Sequence, residues 1–190
     1  GQPWPFEIEQ ARAALAWQST GRVNLKAILH GERLEGALET GPLGLLFSTD
    51  PWPVSLNAEG AGTGLRVQGS ITPAPDWNAA PEINLEIGFE TGRIGTLHSW
   101  ISVPPDLSLP LNGQARFEHN LQGITLKLNQ LELGRSRASG LLIAPADPGL
   151  PLSATFSSGR IDLEELNSLF SRPTVSGPDS GPVDQEPRRG

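Results

Sequence analysis

Apolar and polar residues alternate with a period of two along most of the chain. Ile83, Leu85, Ile87 and Phe89 alternate with Glu82, Asn84, Glu86 and Glu90. Leu65, Val67 and Ile71 alternate with Arg66, Gln68 and Ser70, and Ile124, Leu126 and Leu128 with Thr125, Lys127 and Asn129. Phe6 and Ile8 do the same with Glu7 and Glu9. Successive side chains of a strand point to opposite faces, so each run predicts a strand with one apolar and one wet face, as in antiparallel sheets. After Leu128 the phase slips, because Leu131 and Leu133 continue on the other parity. A β-bulge near Asn129-Gln130 restores a single apolar face.

Turn signals punctuate these runs at Ser19-Thr20-Gly21, His30-Gly31-Glu32, Thr40-Gly41-Pro42, Thr49-Asp50-Pro51, Gly60 to Gly64, Pro73 to Pro81, Thr91-Gly92 and Pro104-Pro105-Asp106. That rhythm predicts an all-β chain: an elongated, antiparallel twisted sheet or groove of sequential hairpins, with one short C-terminal helix. The alanine-rich stretch Gln10 to Trp17 is assigned to strand. The helix is placed at 162–170, with Asp162 as N-cap and Glu165 three residues on as its capping-box partner. From Ser171 onward Pro, Ser, Gly and charged residues dominate, which predicts a disordered tail or linker over 171–190.

Two short motifs recur. Pro3-Trp4-Pro5-Phe6 returns as Pro51-Trp52-Pro53-Val54, and Glu39-Thr40-Gly41-Pro42-Leu43-Gly44-Leu45-Leu46 returns as Glu90-Thr91-Gly92-Arg93-Ile94-Gly95-Thr96-Leu97. They suggest a first β-repeat unit over 1–50, a second over 51–108, and C-terminal strands with the helix over 109–170. Repeats of strands that stack edge to edge give quasi-linear proteins.

Composition narrows the chemistry. The net charge is −7, from 14 Lys+Arg against 21 Asp+Glu. The basic residues are scattered, and the only adjacent pair is Arg188-Arg189. Nucleic acid, which needs clustered Lys and Arg, is therefore not an expected partner, nor is an anionic membrane surface held by charge. There is no cysteine, hence no disulfide and no thiolate chemistry. No apolar run approaches the ~20 residues that cross a bilayer. The opening Gly1-Gln2-Pro3 and the lack of methionine read as a piece cut from a longer polypeptide.

No catalytic constellation emerges. His30, His98 and His119 have no partner at metal-ligand spacing and read as solvated side chains. Asp162, Glu164 and Glu165 are explained by helix capping. Ser136 and Ser139 do not sit in a G-x-S-x-G elbow, and Gly62-Thr63-Gly64 lacks the third glycine of a dinucleotide loop. Trp4 and Trp52, each between two prolines, read as packing plugs at strand starts rather than rim residues. The expectation is a protein that is not an enzyme, with no cofactor and no metal.

Several stretches resemble the AsmA family of bacterial cell-envelope proteins: Asp50-Pro51-Trp52-Pro53-Val54, Gly69-Ser70-Ile71-Thr72-Pro73 and Leu109-Pro110-Leu111, then Leu133-Gly134-Arg135-Ser136-Arg137-Ala138-Ser139-Gly140-Leu141, Leu150-Pro151-Leu152-Ser153-Ala154 and Ile161-Asp162-Leu163. The resemblance runs from about residue 50 to 170 and is similar to the family's C-terminal periplasmic β-repeat region. It implies a non-catalytic periplasmic β-groove, a parent anchored in the inner membrane, phospholipid or another acyl lipid as ligand, envelope proteins as partners, and a role in lipid transport and outer-membrane biogenesis.

On that reading the lipid-facing candidates are Leu65, Val67, Ile83, Leu85, Ile87, Phe89, Leu126 and Leu128. A seven-residue strand at ~3.3 Å per residue spans roughly 23 Å, close to an extended acyl chain. Burying a dozen methylenes at ~0.8 kcal/mol each gives on the order of 10 kcal/mol before ordering costs. The same residues would equally build the closed core of a structural or adhesive β-sandwich that binds protein or glycan. A sandwich requires crossovers between sheets, and a groove requires sequential hairpins.

Overall fold

The computed structural model describes residues 6–29, 32–60, 62–76, 79–98 and 103–170. The predicted tail, the first Pro-Trp-Pro motif, His30, Trp77 and Trp100 lie outside the described residues. The alternating runs form ten strands: β1 (Phe6–Ala14), β2 (Gly21–Leu29), β3 (Glu32–Thr40), β4 (Trp52–Gly60), β5 (Thr63–Thr72), β6 (Glu82–Thr91), β7 (Leu111–Asn120), β8 (Gly123–Leu133), β9 (Ser136–Pro145) and β10 (Ser153–Arg160). A helix, α1 (Leu163–Phe170), follows.

All ten strands belong to one sheet whose spatial order is the sequence order, every neighbouring pair being antiparallel. β1 and β10 are not paired with each other, so the sheet is open. The fold is thus the all-β meander of sequential hairpins that the alternation predicts. No Greek-key crossover links the described strands.

Two irregularities keep the faces in phase. Gln130 pairs with Gln114 and Leu128 with Ala115, leaving Asn129 as an extra residue, so the bulge falls where the slipped parity demands it. In β1, Ile8 pairs with Ala27 and Gln10 with Lys26, leaving Glu9 extra; this second bulge brings Ala11 and Ala13 onto the face of Ile8. The alanine-rich segment is strand as far as Ala14.

The upper end of the sheet can be defined as the end at which the odd-numbered strands finish. There Thr40 leads into a 3-10 segment, Leu43–Phe47, docked onto the β1–β2 loop by hydrogen bonds from Leu43 N–H to the Ala16 carbonyl and from Gly44 N–H to that of Trp17, both 3.0 Å. The echoing motif after Thr91 also forms a 3-10 segment, Ile94–Leu97. It lies at the lower end, fixed by Ile94 N–H to Leu109 at 2.8 Å and Gly95 N–H to Leu107 at 3.0 Å. β3 and β6 run in opposite directions, while Thr40 and Thr91 lie on the same face. Reversing strand direction while keeping both the face and the order of strands is a reflection, so no rotation relates the two motifs within the sheet. Both motifs form a 3-10 segment, at opposite ends of the sheet.

The helix begins as read from sequence: the Asp162 carboxylate accepts from the Glu164 and Glu165 N–H groups, both at 3.2 Å. The Asp162 N–H, the donor that a capping box pairs with Glu165, meets Ser136 Oγ at 2.9 Å. Glu165 accepts from Arg135 N–H at 2.9 Å and from the Ser136 hydroxyl at 3.3 Å. The Arg135 guanidinium closes the cluster with contacts of 2.7 Å to Asp162 and 3.2 Å to Glu165. The Glu165 hydrogen bond, and after it the Asp162 charge, push the Arg135 guanidinium up from its ordinary value. The first turn of α1 is thereby tied to the β8–β9 turn. Gly134 (φ 55°) occupies that turn in the left-handed region that favours glycine.

Candidate functional site

Residues directly paired across an antiparallel ladder point to the same face, so the register maps the two surfaces of the sheet. One unbroken row crosses all ten strands with one residue from each: Ala13, Val23, Leu38, Leu56, Val67, Ile87, Ala115, Leu128, Gly140 and Phe156. At ~4.8 Å between strands the row is roughly 43 Å long. A second row runs beside it through Leu25, Ala58, Leu65, Phe89 and Leu131, and a third through Val54, Leu85, Phe117, Leu126 and Leu142.

All eight residues singled out from the alternation fall on this face: Leu65, Val67, Ile83, Leu85, Ile87, Phe89, Leu126 and Leu128. These eight come from β5, β6 and β8, and the other seven strands supply the rest of the face, with β1 to β3 the least marked in sequence. Their apolar positions are small or interrupted (Ala11, Ala13, Ala27, Gly36), which weakens the alternation although Val23, Leu25, Leu34 and Leu38 keep it. Among the paired residues on the apolar face the one Asp, Glu, Lys or Arg is Glu32, opposite Leu29 at the tip of the β2–β3 hairpin.

Nothing among the described residues covers this face as a second layer would. Among the described residues only three apolar side chains, Ala27, Ile94 and Ala115, are buried, and no large side chain is fully enclosed. Elsewhere on the face many apolar residues are half-buried by their own neighbours, while Ile8, Leu65, Ile124 and Phe156 are exposed. Phe89 and Phe156 lie over cross-strand glycines: a Cβ at Gly113 would fall 2.4 Å from the Phe89 ring, and one at Gly140 would fall 2.5 Å from Phe156. Each pair smooths the face, the ring filling what the glycine leaves open.

The ends of the face carry polar closures. At the lower end the Thr91 and Thr96 hydroxyls are 3.2 Å apart, and those of Thr63 and Thr96 are 3.5 Å apart. At the upper end the Trp52 indole N–H donates to the Gly41 carbonyl at 3.0 Å. Trp52 is half-buried there at the start of β4, in the position of a strand-start plug. His119 is placed differently from its reading as a solvated side chain. It pairs with Ile83 and Ile124 on the apolar face, half-buried, with Nδ1 2.8 Å from the Pro81 carbonyl oxygen.

The opposite face carries mainly exposed charges and amides, with Leu141 and Ile143 of β9 also exposed on it. Cross-strand pairs join Lys26 to Glu35 at 2.6 Å, Arg22 to Glu39 at 3.3 Å and Arg137 to Glu132 at 2.8 Å. The Asn112 amide, chiefly, holds the Glu132 carboxyl below its ordinary value; desolvation opposes it, and the Arg137 charge adds a smaller lowering effect. A shallow depression of about 590 Å³ sits on this face, among Arg66, Gln68, Glu86, Glu90 and Gln114, where Gly64 and Gly88 carry no side chain. No group of three His, Cys, Asp or Glu side chains among the described residues comes together as a metal site, and no described helix is long and apolar enough to cross a membrane.

No protein-family model, no curated protein and no solved structure matches this chain.

Proposed function

We propose that this chain binds the acyl chains of lipid along the apolar face of its open sheet, as a non-catalytic segment of an AsmA-like envelope protein. The observation that carries the reading is the row of ten apolar or glycine positions, one per strand, with no second layer over it. An apolar surface of that extent requires a cover. Acyl chains suit it because it is long, smooth and, apart from Glu32 at one end, without charge: they need buried area and no directional partner. At ~0.8 kcal/mol per methylene, one extended chain supplies on the order of 10 kcal/mol before ordering costs, without any headgroup contact. The residues that resemble the AsmA family support the periplasmic setting, the inner-membrane-anchored parent and the role in phospholipid transport and outer-membrane biogenesis.

Native mass spectrometry of the chain purified from a bacterial periplasm, followed by lipid extraction, tests the reading. Co-purified phospholipid, and photocrosslinking of a diazirine-bearing acyl chain to the neighbourhood of Val67 and Ile87, are the expected results. A chain that stays lipid-free when offered phospholipid would falsify it. The sequential order of the described strands favours the groove over the adhesive β-sandwich, which needs crossovers between two sheets.

A further inference from the structure

Among the described residues the open sheet has two unpaired edges, and they are built differently. An unpaired strand presents free N–H and C=O groups, which proteins protect with charges, prolines, bulges or covering elements. β1 is protected in this way: Glu7, Glu9 and Arg12 are exposed along it, and the bulge at Glu9 interrupts its ladder. β10 is not. Its first seven residues, Ser-Ala-Thr-Phe-Ser-Ser-Gly, contain no charge and no proline, and every residue of the strand is exposed. Its one irregularity falls late, between Ser158 and Arg160.

Two further observations point the same way. Of the fourteen exposed large apolar side chains among the described residues, seven lie between Leu141 and Leu163, on β9, β10 and the segments beside β10. Phe156, at the middle of β10, is 71% exposed. The first turn of α1, which could have lain along the open edge, is instead tied back by Asp162 and Glu165 to Arg135 and Ser136 in the β8–β9 turn.

We propose that β10 is a self-pairing edge, where a second copy of the chain adds its own β10 antiparallel across a two-fold axis normal to the sheet. That operation reverses strand direction and leaves the face unchanged, so the apolar faces of both copies join into one. With Phe156 opposite Phe156 of the second copy, Ala154 meets Ser158 on the apolar face and Thr155 meets Ser157 on the polar face. No charged residue faces another in this register, and the interface is isologous and closed at two copies. The proposal does not depend on lipid.

Sedimentation of the full chain across the micromolar range tests it, with circular dichroism as a check on folding. The expected result is a monomer–dimer equilibrium. The double variant Thr155→Lys/Ser157→Lys puts like charges opposite each other twice and weakens the dimer by roughly tenfold or more. Thr155→Glu/Ser157→Lys puts opposite charges there and restores it. Three results would each overturn the proposal: a chain monomeric throughout, as it would be if another segment or another protein takes the edge; open-ended polymers, which indicate β10 pairing with β1; or a dimer indifferent to both variants.

Discussion

The two faces of the sheet share a backbone and differ in what holds them. On the polar face the neighbours are exposed ion pairs and amides, Lys26–Glu35 and Arg22–Glu39 among them. Such pairs are screened and individually contribute about 0–1 kcal/mol. On the apolar face the neighbours are side chains whose stabilisation scales with the area taken from water, and that area is half-won within the chain itself. The polar face is therefore complete without a partner, whereas the apolar face gains more from one. Binding is expected to respond to the first face hardly at all and to the second strongly.

The largest contrast comes from a charge placed at the centre of each face. Ile87→Asp is expected to abolish retention of phospholipid, because an acyl chain cannot pair with a carboxylate, whereas Glu86→Gln one residue away retains it; native mass spectrometry of the two variants reads the difference. A pair of glycines gives the next contrast. Gly113→Val on the apolar face drives its side chain into the Phe89 ring and is expected to cost about 1–3 kcal/mol in urea unfolding. A Cβ at Gly88 on the polar face meets nothing within 4 Å, and Gly88→Val is expected to stay within about 0.5 kcal/mol of the parent or to stabilise it.

A smaller effect belongs to neither face. Asp162→Ala removes the acceptor for the Glu164 and Glu165 N–H groups and is expected to lower stability by about 1 kcal/mol, with loss of helical ellipticity and unchanged lipid retention. The smallest is confined to the polar face. Because the folded pKa of Glu132 is depressed, its contribution is present above the unfolded value and is lost as pH falls through the folded one. Glu132→Gln should flatten the acid side of the stability profile, and NMR titration of Glu132 should place it below an ordinary glutamate.

Much of the architecture was legible because period two is a local property. The runs around Leu65, Ile83 and Ile124 announce their strands, and the slipped parity after Leu128 announces the bulge at Asn129. Register is not local. That Ala13 and Phe156 lie in one row with Ile87 follows only from nine successive pairings, so the continuity of the face had to be seen in the fold. The same holds for Glu165. Its spacing from Asp162 signals a capping box, but its partners Arg135 and Ser136 lie about thirty residues upstream in sequence, where no local pattern points to them. The 3-10 segments are intermediate: the echo of Thr40-Gly41 in Thr91-Gly92 marks a shared conformation, and only the opposite directions of β3 and β6 show that it recurs at opposite ends.

The unbroken sequence order of the strands has a mechanical consequence. Each ladder joins segments adjacent along the chain, so the sheet has low contact order for a β protein and can grow hairpin by hairpin. Tension applied between the two edges would load one ladder after another, peeling strands in turn as in a zipper, rather than breaking a single core at once.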